Sequence, residues 1–107
     1  MSAILTAEEF SKHVNTKFRV LLDQPVELEL TEVKNYVARE DEESGMERFS
    51  IYFAGPSEPY LAQRVYQIEH EGMGSFDLFL VPVSRDAKGF RYEAVFNYYK
   101  AKAVDQL

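Results

Sequence analysis

The chain has 107 residues, 46% of them hydrophobic, with 18 Asp and Glu against 12 Lys and Arg and neither Cys nor Trp. A net charge of -6 repels a phosphate backbone, whose binding needs clustered Lys and Arg, so no nucleic-acid partner is expected. The absence of Cys excludes disulfides, thiolate nucleophiles and Cys-based zinc sites, and a chain this long buries about two-thirds of its surface on folding, enough for one core and too little for two.

Thr6-Ala7-Glu8-Glu9 reads as a capping box, in which Thr6 accepts from the amide three residues on and Glu9 reaches back. Leu5 and Phe10 stand where a hydrophobic staple forms. Phe10 and Val14 make the buried face, and Asn15 is the stop. From Phe18 the apolar period changes to 2. Phe18, Val20 and Leu22 form one strand, Asp23-Gln24-Pro25 the turn, and Val26, Leu28 and Leu30 a second strand that continues toward Val37. After the charged stretch Arg39 to Gly45, a third strand runs from Arg48 to Ala54. Gly55-Pro56-Ser57-Glu58-Pro59 is a loop, because two prolines remove donors and fix φ. Arg64 to Glu71 alternates with Tyr66, Ile68 and His70 on one face. Gly72-Met73-Gly74 turns into Phe76 to Val83, and Asp86-Ala87-Lys88-Gly89 into Phe90 to Asn97.

The strand from Phe76 to Val83 is apolar on both faces, with Phe76, Leu78 and Leu80 opposed by Phe79, Val81 and Val83. A strand of that kind is covered on both sides. Its cover is either the N-terminal helix or another protein chain, and Val95 on the next strand enlarges the same patch. Pro82 donates nothing to a ladder, so the strand is at an edge there or has left the sheet. Composition changes after Asn97, where Lys100-Ala101-Lys102-Ala103 favours a tail or short helix. The expected organisation is one β-rich domain over 1–97 and a tail over 98–107.

Few residues suggest chemistry. The run Glu40-Asp41-Glu42-Glu43 lacks the alternating register of a calcium loop and reads as a solvated hairpin tip. His13 and His70 have no metal-ligand spacing, the glycines are dispersed, and no G-x-S-x-G elbow exists. No metal or other cofactor is expected. Pro56-Ser57-Glu58-Pro59 fits a rigid turn better than a docking peptide. Core packing accounts for most of the aromatic residues before any stacking surface does, with Tyr60, Tyr98 and Tyr99 left over. The first residues lack the pattern of a secretory leader and no apolar run is long enough to span a bilayer, so the expectation is a soluble, cytoplasmic protein with no membrane partner.

Phe49-Ser50-Ile51-Tyr52-Phe53-Ala54-Gly55-Pro56, Tyr66-Gln67-Ile68-Glu69-His70, Gly74 to Val83 and Arg91-Tyr92-Glu93-Ala94-Val95-Phe96-Asn97 together resemble a bacterial family of unknown function. Its short members read F-S-L-x-F-x-G-P, Y-x-L-x-H, G-x-F-x-L-F-L-V-P and Y-E-A-V-F-N. The chain resembles a complete member from about Leu5 to Asn97. The resemblance implies a small β-rich fold without an assigned activity. The family's genes lie near those of tail-collar-type, phage-tail-like proteins, which implies a structural or assembly role. Within the motifs, His70 and Asn97 are the polar positions with least packing reason to exist, either a site or a fixed buried hydrogen bond.

These readings converge on a mainly β fold: a small antiparallel barrel or curved sheet of about six strands with one N-terminal helix, the alternative being an open α+β sheet. The leading function is a non-enzymatic structural or protein-interaction module that self-associates by burying Phe79, Val81 and Val95. The rival is a small-molecule binder with Tyr66, His70 and Asn97 as polar anchors in the barrel mouth, with an enzyme third.

Overall fold

In the computed structural model, which describes residues 5–36 and 45–99, Thr6 caps a short helix, α1 (Ala7–Ser11). The Thr6 hydroxyl accepts from the Glu9 amide at 3.1 Å. The reciprocal half of the capping box is not made, because the Glu9 carboxylate turns to Lys12 at 3.3 Å and His13 at 3.4 Å. Asn15, at φ 72°, takes the left-handed conformation that its short polar side chain tolerates and turns the chain into the sheet. The acidic run Glu40 to Glu43 and residues 100–107 lie outside the described residues.

Six strands follow: β1 (Lys17–Val20), β2 (Val26–Asn35), β3 (Met46–Ala54), β4 (Arg64–His70), β5 (Gly74–Asp86) and β6 (Gly89–Tyr99). They close into a barrel in the order β1-β2-β3-β6-β5-β4, each neighbour antiparallel. Alternation sends one residue set inward. Phe18, Leu28, Ile51, Ile68, Leu80 and Tyr92, one from each strand, are fully buried. A barrel of this strand number is filled by its own side chains.

Both ends are plugged. At one, Phe10 of α1 is fully buried among the rings of Phe18, Phe49, Phe76 and Phe96, with centroids 5.6–6.3 Å away. At the other, the loop after β3 folds over the opening. Gly55 and Phe90 exchange backbone hydrogen bonds at 2.8 and 3.2 Å, and the buried Leu61 donates its amide to the Tyr92 hydroxyl at 3.0 Å.

β5 changes partner along its length. It pairs with β4 as far as Leu80, opposite Arg64, and with β6 from Val81, opposite Glu93. Pro82 therefore has a ladder partner on one side only, and the register shift between Pro82 and Ser84 places a bulge there, both of which suit a residue without an N–H. β6 runs through Tyr98 and Tyr99, residues that composition assigns to the tail, because they continue the ladder with Glu47 and Met46. The Tyr98 hydroxyl donates to the Glu47 carboxylate at 3.1 Å; burial, then that carboxylate, raises its pKa to about 12.

Candidate functional site

His70 ends β4 pointing inward and is only 7% exposed. Its Nδ1 accepts the backbone amides of Gly72 and Met73 at 3.0 and 3.1 Å. An atom accepting two N–H bonds carries no proton, so the proton sits on Nε2, which donates to the Thr16 hydroxyl at 2.9 Å. Thr16 passes its own proton on to the His13 carbonyl at 2.6 Å. The ring lies 4.1 Å from that of Phe18 and 4.7 Å from that of His13. Burial lowers the pKa of His70, helped by the neighbouring His13 and opposed by Glu71. These contacts tie the segment after α1 to the β4–β5 turn.

The three residues expected at a polar mouth stand in three places. Tyr66 is inside the barrel near the Leu61 end, its hydroxyl donating to the Ala62 carbonyl at 2.6 Å. His70, four residues on along the same strand, is about 13 Å away at the plugged α1 end. Asn97 points outward from β6, opposite Arg48 of β3. With both ends stoppered, no mouth gathers them. A groove of about 970 Å³ outside the barrel, between Leu21 to Val26 and Glu58-Pro59, touches none of the three. Among the described residues no three His, Asp or Glu side chains group as metal ligands, and no helix is long and apolar enough to cross a membrane.

The interface residues, in contrast, share one side of the barrel. Phe79 is 49% exposed and Val95 64%, with Val81 half-buried on the same outward face of β5. Val65 of β4, directly opposite Phe79 and 55% exposed, belongs to the same patch. α1 does not cover it, since Phe10 enters the barrel end instead. Ion pairs stand elsewhere on the outer wall, Lys17 with Glu29 at 3.7 Å, Arg19 with Glu69 at 3.6 Å and Arg91 with Glu32 at 2.8 Å, and Val83 of β5 is exposed beyond Pro82.

Residues 5–96, from the approach to α1 to the inward Phe96 of β6, match the model of a family described as a domain of unknown function, DUF6916. The chain belongs to this family. The matched span contains the whole of this DUF6916 barrel except the last three residues of β6. No curated protein and no solved structure gives a match. In the DUF6916 barrel, sequence reasoning missed Val65, although the signal was present: a valine at an outward position of an otherwise polar face, between Arg64 and Tyr66.

Proposed function

We propose that this DUF6916 domain is a non-enzymatic protein-interaction module that self-associates through the outer face of β4 and β5, with Val95 of β6 at its margin. The observation that carries the reading is the exposure of Val65 and Phe79, cross-strand partners on the outside of a barrel whose interior is already full. Burying a side chain of this kind contributes about 1.5–3 kcal/mol, and a two-fold contact buries each twice.

A second copy presents the same apolar pair, so a two-fold contact sets Val65 and Phe79 against their own equivalents. Asp77 flanks the patch along β5, whereas Arg64 and Arg85 stand opposite the inward Leu80 and Phe90, with their guanidiniums over the rings of Tyr66 at 4.8 Å and Phe90 at 5.9 Å. Glu93 of β6, opposite Val81, borders the patch and accepts from the Tyr52 hydroxyl at 3.0 Å. The setting we propose is a structural part in a phage-tail-like assembly, on the strength of the family resemblance. The small-molecule reading rests on side chains that stand apart.

Light scattering behind a sizing column tests this. The expected result is a dimer of twice the 12.4 kDa chain mass for wild type and a folded monomer for Phe79→Asp. Val65→Asp, at the cross-strand partner of Phe79, is likewise expected to give a folded monomer. A wild-type monomer at all concentrations, or a folded Phe79→Asp dimer, sinks the reading.

A further inference from the structure

β5 and β6 part company halfway along their length. Their ladder runs from Asp86 opposite Gly89 to Val81 opposite Glu93 and stops there, although the same register continued would set Phe79 opposite Val95 and Asp77 opposite Asn97. Past that point, among the described residues, β5 pairs only with β4 and β6 only with β3. The ladders on the far sides show where the backbone groups point. The Gln67 carbonyl of β4 accepts from the Leu21 amide, so outward residues of β4 turn their backbone toward β1 and the inward Tyr66 and Ile68 turn theirs toward β5. Opposite these stand Leu78 and Phe76, which leaves the N–H and C=O of Ser75, Asp77 and Phe79 directed at β6. On β6 the inward Phe90 exchanges bonds with Gly55, just past β3, so the outward Val95 and Asn97 direct their backbone groups at β5. All five of these residues are exposed.

Backbone N–H and C=O groups demand partners, and a strand edge that lacks them is a template for another strand. Two such edges facing each other match one ligand class, an extended polypeptide, because it offers N–H and C=O groups alternately to both sides. Side chains narrow the choice. Phe79 and Val95 line the seam with exposed apolar surface, and Asp77 is the one charged residue of the five. On the inner side the buried Phe10 ring packs against both strands, 5.9 Å from Phe76 and 5.6 Å from Phe96, which leaves room only for small side chains beneath the seam. We propose that the seam between β5 and β6 takes up an extended segment of a partner protein as an added strand, with small residues inward, apolar residues outward and a Lys or Arg beside Asp77. The site shares Phe79 with the self-association face but needs no second copy.

Amide hydrogen exchange followed by NMR tests the seam, on the full chain carrying Val65→Asp so that dimerisation plays no part, and on dilute wild type in case that variant misfolds. The probe is a blocked peptide of about seven residues, with valines and one central lysine on one face and alanines on the other. Without it, the amides of Ser75, Asp77, Phe79, Val95 and Asn97 are expected to exchange quickly. Saturating peptide is expected to slow them at least about 10-fold. Methylating alternate backbone nitrogens of the peptide keeps every side chain and is expected to weaken binding at least about 10-fold, as loss of hydrogen bonds to one flank does. Asp77→Lys is expected to weaken the lysine peptide and to favour one with glutamate in its place. No protection by the peptide overturns the proposal, and so does equal binding of the methylated form, because side chains alone then hold it. Slow exchange of the same amides in the free monomer also overturns it, since the chain then closes its own seam. The self-association reading stands or falls separately, on the wild-type mass.

Discussion

His70 is the residue whose protonation state the fold has chosen. Its Nδ1 accepts two amides, so the neutral ring is the native form and its pKa is lowered, chiefly by burial. The unfolded chain, with an ordinary histidine pKa of about 6.5, binds the proton more readily. Stability contributed by His70 is therefore present above that value and is lost as pH falls through 6.5 toward the lowered native pKa. Urea denaturation from pH 8 to 5 is expected to show that loss, and His70→Asn, whose side chain does not titrate, to flatten it. His70→Ala leaves two amides without an acceptor and is expected to cost about 2–3 kcal/mol in the same measurement. Gly89 is a second position with little freedom: its φ is 151°, and a Cβ there overlaps the Gly55 carbonyl oxygen. Gly89→Ala is expected to lower the melting temperature by more than the loss of a single hydrogen bond, since backbone must move to admit it. Neither demand was legible in sequence beyond a turn glycine and a histidine without a packing reason, because the atoms that impose them come from distant segments.

Among the elements, α1 was the most legible, since Thr6, Leu5 and Phe10 each give a local signal. The return bond from Glu9 is missing, because Lys12 and His13 hold the carboxylate, and the helix ends at Ser11, so Val14 and Asn15 lie in the turn after it. Thr6→Ala removes the cap and is expected to cost about 1 kcal/mol. Phe10→Ala empties the barrel end between four phenylalanine rings and is expected to cost about 3–5 kcal/mol by chemical denaturation. The contrast between these two losses measures how far the helix serves as a stopper instead of an independent element. Strands were readable from alternation because each inward residue is two from the next. The doubly apolar β5 was equally readable, but its outward half needed cross-strand register to reveal Val65 as the partner of Phe79.

At the scale of the molecule, closure decides where function can reside. A filled barrel plugged by Phe10 and Leu61 leaves the outer wall, which carries both surface ion pairs and the Val65–Phe79 patch. If two copies meet through the apolar side, burial and not charge pairing holds them, so salt leaves the contact intact. Sedimentation equilibrium is expected to show a dimer dissociation constant that changes little from low to high salt. Tyr66, His70 and Asn97 were grouped in sequence by their polarity alone. The fold separates them because Tyr66 and His70 lie at opposite ends of one strand, while the inward set Tyr92, Ala94 and Phe96 turns Asn97 outward.

The sequence by itself determined the helix and its cap, the six strands and the inward set on each, because all of these depend on residues within a few positions of one another. It also determined that β5 would present an apolar outer face. Tertiary structure alone decided the strand order, the plugging of both ends, the burial of Ser50 and the hydrogen bonds that hold His70 neutral. The physical reason is that alternation says which side of a strand is buried but not which strand lies beside it. Neighbours are chosen by the summed packing and hydrogen bonding of segments far apart in the chain.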